Sequence, residues 1–188
     1  FLLNHVLPMA MPFVFQKSKD NLFLENERHR HGKDMVQKKA ALMKWNNMAK
    51  HIILDTGYWF ALYNERDDHH KEAMLVSELI NPHNLVVPWP SLYETLNTRF
   101  VRRDDWLTSF KDILSRGNTV KISDKKYKEN AISSIFIKTK NHKIYSLTDL
   151  VIREILLDFE IKIDAIVTFN SSDFEDICRN KNIEIISG

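Results

Sequence analysis

The sequence predicts an α/β fold in three layers, α/β/α, with a central and mainly parallel sheet. Three observations predict it. From residue 51 onward, short apolar runs alternate with helical patterns, the order that gives parallel strands covered on both faces. The short runs are rich in Ile and Val and bounded by turn residues, as strands buried on both faces should be. Apolar residues make up 44% of the 188, enough for one ordinary core and an appendage.

The elements follow in order. HIIL (51–54) reads as a buried strand ending at Asp55. A helix runs from about His69 to Ile80, and Asn81-Pro82-His83-Asn84 breaks it. LVVP (85–88) is a second strand, and Pro90 suits an early helical position ahead of SLYETLNTRF. Asp104-Asp105 opens the helix WLTSFKDILSR, with Gly117 after its last turn. TVKI (119–122) is a third strand, followed by helix from Lys125 to about Lys138. SLTDLVIREILLDF (146–159) is a strongly apolar helix. DAIVTF (164–169) is a fourth strand, SDFEDICRN a short helix, and IEIIS (183–187) the last strand.

The domain boundary falls near Met48. Residues 1–47 lack strand alternation, hold a polar stretch and end in the helix-prone run DMVQKKAALMKW. They read as an N-terminal extension, either sequence upstream of a start at Met48 or an accessory arm. Residues 48–188 are the catalytic candidate. The apolar opening FLLNHVLPMAMPFVF has no basic leader and no clear small-residue cleavage site, so it does not read as a signal peptide. No run reaches the roughly 18 to 20 apolar residues of a membrane-spanning helix.

Charge and cysteine narrow the functional classes. The net charge of +2 divides into +4 over residues 1–47 and −2 over residues 48–188. A domain that held nucleic acid by bulk charge alone would not carry that acidic surplus. The single cysteine, Cys178, excludes an intramolecular disulfide framework and a cysteine-based zinc site, and fits a cytoplasmic protein. No Gly-rich phosphate loop is present, which argues against a P-loop or dinucleotide-binding enzyme. Asp55-Thr56-Gly57 lacks the Asp-x-Asp of the haloacid-dehalogenase type.

Four acids fall where an open parallel sheet places its site, beyond the carboxyl ends of the strands. Asp55 follows the first strand, Glu94 lies in the helix after the second, Asp149 opens a late helix and Asp173 follows the fourth strand. Carboxylates gathered in one place repel one another and persist there mainly beside a divalent cation. Oxygen ligands of this kind suit Mg²⁺ or Mn²⁺. Each acid also has a structural reading. Ser91-x-x-Glu94 and Ser146-x-x-Asp149 match capping boxes, Asp55 suits an N-cap, and Asp173 suits a helix's first turn. Their joint placement is what favours a site.

The motifs resemble PIN-domain proteins, particularly VapC-type toxin ribonucleases of type II toxin–antitoxin systems. ILDTGYWFALYNERDDHH is similar to that family's opening, SLYETLN to its second acidic motif, SLTDLVI to its third and IVTFNSSDF to its fourth. The intervals of 39, 55 and 24 residues between the acids are about those of the family, over roughly residues 50–187. The resemblance implies a Mg²⁺- or Mn²⁺-dependent endoribonuclease with catalytic Asp55, Glu94, Asp149 and Asp173. Asp55 and Asp149 would hold the metal, while Glu94 and Asp173 complete its shell or orient water. It also implies a cognate antitoxin that inserts a segment into the acidic groove, and a homodimer.

One position departs from the family pattern. Many members carry an acid where this chain has Asn170, which leaves the fourth ligand open between Asn170 and Asp173. Asp164 precedes its strand and belongs at the opposite end. Thr168, like Thr56, can offer a hydroxyl to the metal shell or to a phosphate. Arg99, Arg102 and Arg103 can reach RNA phosphates, or simply form a solvated helix end. Tyr58, Trp59 and Phe60 have the spacing of core residues rather than of a base-stacking surface. His69-His70 lacks the i, i+4 spacing of a helical ligand pair, and His29 and His31 receive no role. A competing reading is a PIN fold with little catalysis that binds RNA or assembles with partners.

Overall fold

A computed structural model describes residues 48–137 and 143–187. The extension 1–47, with His29 and His31, lies outside the described residues, as do 138–142. Five strands form the sheet: β1 (His51–Leu54), β2 (Asn84–Pro88), β3 (Thr119–Ile122), β4 (Ala165–Val167) and β5 (Glu184–Ile186). Between them lie eight α-helices among the described residues. These are α1 (Thr56–Tyr63), α2 (His70–Ile80), α3 (Trp89–Thr95), α4 (Thr98–Val101), α5 (Asp104–Leu114), α6 (Lys128–Phe136), α7 (Leu147–Leu157) and α8 (Glu175–Lys181).

Every strand pair is parallel, in the order β3-β2-β1-β4-β5. The chain leaves β1 for β2 and β3 on one side, then crosses back to place β4 and β5 on the other. The strand order therefore reverses between β1 and β4, where Ile53 pairs with Ile166 and Leu54 with Val167. Such a reversal opens a crevice at the carboxyl ends of the two strands. Asp55 N–H still donates to Val167 O at 3.1 Å, so the ladder holds the first site residue rigidly.

Alternation along the strands divides the core in two. Ile53, Val86 and Ile166 face Ala131, Val151, Ile152, Ile155, Phe174 and Ile177, from α6, α7, α8 and the turn before it. Ile52, Leu54 and Val87 alternate with that set, and all three are fully buried. Beyond Leu85 on that second face, the aromatic residues of α1 pack on α5, with Trp59 4.8 Å from Phe110 in an edge-to-face contact. Among the described residues, no helix is long and apolar enough to cross a membrane.

Three helices differ from the sequence expectation, and the one expected from Lys125 divides into a 3₁₀ turn, Asp124–Lys126, and then α6. The single helix expected through SLYETLNTRF is two, α3 and α4, because Asn97 starts a new one. Its Oδ1 accepts from the N–H groups of Arg99 (3.0 Å) and Phe100 (3.2 Å). The turn this makes delivers Phe100 into the core, fully buried. SDFEDICRN likewise divides into a 3₁₀ turn, Ser171–Asp173, and then α8.

Candidate active site

Asp55 is both the residue after β1 and the N-cap of α1. Its Oδ1 accepts from Thr56 N–H at 2.6 Å, and its Oδ2 from the Thr168 hydroxyl at 3.0 Å. The side chain is buried, and that loss of water pushes its pKa up to about 6. The two hydrogen bonds pull it back, while the negative fields of Asp149 and Glu94 push it further up. Three acids from distant parts of the chain thus share one electrostatic neighbourhood.

Glu94, on α3, ties two helix starts together. Thr56 Oγ1 donates to its Oε2 at 2.8 Å, and Thr148 Oγ1 donates to its Oε1 at 2.7 Å. Asp149 closes the capping box of α7. Its Oδ2 accepts from Ser146 N–H (3.0 Å) and from Ser146 Oγ–H (2.7 Å), while Asp149 N–H donates to Ser146 Oγ at 3.1 Å. Ser91 makes no such box with Glu94: the Ser91 hydroxyl is buried inside α3 without a partner. The cap and the acid are therefore one feature at Asp149 and separate features at Glu94.

The loop after β4 supplies the rest. Thr168 is fully buried, and beyond its bond to Asp55 it accepts from Asn170 N–H at 3.0 Å. Asn170 Nδ2 donates to Asp173 Oδ2, and Lys143 Nζ lies 2.6 Å from Asp173 Oδ1. Asp173 is buried, with both oxygens taken by these neighbours. Nothing in the sequence patterns singled out Lys143, Thr148 or Ser172, because an isolated lysine, threonine or serine has no spacing signature.

The remaining candidates sort plainly. Arg99 and Arg102 are exposed at α4, while Arg103 pairs with Asp105 at 3.2 Å and lies over Trp106. Tyr58 and Trp59 are core residues, and Phe60 meets Phe100 edge to face. His69 stacks on Phe169, with ring centres 4.6 Å apart, and His70 Nδ1 lies 2.8 Å from Ala61 O. Asp164 sits ahead of β4 and accepts from His51 N–H at 2.8 Å, at the sheet's other end. Burial pushes the Cys178 thiol up to about 11, which leaves it unreactive.

The donor chemistry fits a hard divalent cation. Asp55 is a buried carboxyl whose ionised form is opposed by two neighbouring acids, and a cation would relieve that opposition. The fit is one of charge and oxygen type. As the side chains stand, no three His, Cys, Asp or Glu among the described residues are gathered closely enough to hold a metal ion. Glu94 spends both oxygens on threonine hydroxyls and Asp149 one oxygen on its serine, and each of these oxygens keeps a further lone pair.

Neither a family model nor a curated protein matches the sequence. Solved structures do. One is the VapC20 toxin of Mycobacterium tuberculosis, a sarcin-ricin loop cleaving toxin. It is 19% identical with a TM-score of 0.53, and the match covers 66% of this chain and 94% of that one. Another is VapBC2 from Rickettsia felis bound to a DNA fragment from its promoter. It is 15% identical with a TM-score of 0.48, covering 73% of this chain and 98% of that one. At such identities the likeness speaks to the fold: a parallel five-stranded sheet between helices, in the PIN-domain arrangement of VapC-type proteins.

Proposed function

We propose that the chain is a metal-dependent endoribonuclease that hydrolyses RNA phosphodiester bonds, the toxin of a toxin–antitoxin pair. One observation carries the reading. Asp55, Glu94 and Asp149 share a neighbourhood at the strand-order reversal of a VapC-type fold, with the Asp55 carboxyl pushed up to about 6. Asp55 and Asp149 are the residues that would hold Mg²⁺ or Mn²⁺. When bound, such an ion lowers the pKa of a water molecule and offsets charge on the scissile phosphate.

The chain's own residues do the rest. Thr56 and Thr168 fix the two oxygens of Asp55 through its neighbouring amide and a hydroxyl, so the carboxylate has one orientation. Glu94, exposed and held by two threonines, would orient an attacking water. Arg99 and Arg102 are candidates for RNA phosphates further along α4. By resemblance, the partners are a cognate antitoxin and a second copy of the chain, and the setting is the cytoplasm.

The test is cleavage of total RNA by the full chain with Mg²⁺, Mn²⁺ or EDTA, beside Asp55→Asn and Asp149→Asn. Discrete, metal-dependent cuts should weaken by about 100-fold or more in each variant, the size expected when a group at the reacting centre is lost. A second reading has its own support, since among the described residues no three His, Cys, Asp or Glu stand as a ligand set. In that reading the fold binds RNA or assembles with partners and cuts little. RNA that is bound yet left intact by the wild type would establish it.

A further inference from the structure

The acid expected to complete the metal shell is occupied elsewhere. Lys143 Nζ lies 2.6 Å from Asp173 Oδ1 and donates to Ser172 Oγ at 2.6 Å. Ser172 Oγ donates to Asn170 Oδ1 at 3.0 Å, and Asn170 Nδ2 donates to Asp173 Oδ2. Four side chains close a ring in which each donor meets an acceptor. Arg153 holds the ring's floor, donating to Asp173 O at 2.5 Å while pairing with Asp176 at 2.6 Å.

The ring is joined to the acidic site by two further bonds. Asn170 N–H donates to Thr168 Oγ1, whose own proton goes to Asp55 Oδ2, each at 3.0 Å. The ring also accounts for the departure at position 170. An amide both accepts from Ser172 and donates to Asp173. An aspartate there would only accept, and would set a second carboxylate against Asp173. Asn170 and Lys143 are thus complementary: one removes a negative charge and the other adds a positive one.

An ammonium carries three hydrogens, and the ring uses two of them. The Lys143 side chain is 41% exposed, whereas the Asp173 carboxylate that holds it is 8% exposed. Fixing a long lysine costs rotamer freedom, and here the buried Asp173 carboxylate holds it beside the loop after β4. We propose that Lys143 is a substrate-binding residue that takes an RNA backbone phosphate beside the acids. Asp173 is then a positioning residue and not a metal ligand. The inference rests on the ribonuclease reading.

Two measurements on the full chain test it. The first is fluorescence anisotropy of a labelled single-stranded RNA across a salt series, with Ca²⁺ in place of Mg²⁺. Lys143→Met should weaken binding on the order of 3- to 10-fold and reduce the salt slope by about 0.7, the share of one phosphate contact in a single strand. Lys143→Arg should restore both, and matching thermal melts would show that the variants fold. The second is Mn²⁺ binding followed by the electron-spin signal of the free ion. Asp173→Asn should titrate as the wild type does, while Asp55→Asn should need about tenfold more Mn²⁺ or not bind. Unchanged affinity and salt slope in Lys143→Met would make the lysine a strut and overturn its role. Loss of Mn²⁺ in Asp173→Asn would make that acid a ligand. A wild type that binds no RNA would overturn the phosphate contact and the ribonuclease reading together, and so is told apart from the failure of Lys143 alone.

Discussion

Asp55 sets the pH behaviour at the scale of single residues. Its carboxyl is raised from 3.8 to about 6, first by burial and then by Asp149 and Glu94. The folded state therefore holds this proton more tightly than the unfolded chain does. The stability this confers is complete below the unfolded value and is lost as pH rises through about 6. In EDTA, the wild type should lose about 2–3 kcal/mol relative to Asp55→Asn between pH 4 and pH 7. Parallel denaturant melts of the two proteins at both pH values measure the difference, and equal slopes would mean that Asp55 titrates normally. Saturating Mg²⁺ should remove most of that difference, because a ligand that prefers the ionised site stabilises the folded state.

Element ends set the geometry at the next scale up. α7 begins with a reciprocal capping box, and the acid that closes it is one of the three site acids. Ser146→Ala removes the one hydroxyl that both accepts from Asp149 N–H and donates to its carboxylate. A loss of about 1 kcal/mol in stability is expected from the cap alone. If Asp149 also serves the metal, the same variant should shift the Mn²⁺ requirement for RNA cleavage, in either direction. An unchanged Mn²⁺ requirement with the full stability loss would confine Asp149 to capping. α8 ends differently: Asn182 takes the left-handed conformation at φ 56°, a shape that asparagine tolerates better than most side chains.

For the whole molecule, Met48–Gly188 forms a compact unit by itself. We propose that this unit is the working nuclease domain and that residues 1–47 are an extension to it. A chain beginning at Met48 should then unfold in one transition at the same midpoint as the full chain and keep its RNA cleavage. A lower midpoint, or cleavage lost without a stability change, would give the extension a role of its own. The strand-order reversal is the whole-molecule feature on which the site depends. It brings Asp55, after β1, beside Thr168, after β4, although 113 residues separate them.

Sequence by itself determined the element types and the layer architecture, because apolar period and turn residues act locally. It placed Asp55, Asp149 and Asp173 at element ends, and it identified Tyr58 and Trp59 as core and Asp164 as remote from the site. It did not show the strand order, since parallel strands of similar composition can be arranged in several ways and only long-range packing selects one. It missed the break at Asn97, where a side-chain cap outcompetes a continuous helix pattern. It left the fourth ligand open between Asn170 and Asp173, and only the tertiary structure set Lys143 against the Asp173 carboxylate. A pair separated by 30 residues with no common motif has no periodic signature. Its meeting is decided by where α7 and the β4 loop pack, and the threonine hydroxyls that hold Glu94 by where α1, α3 and α7 pack.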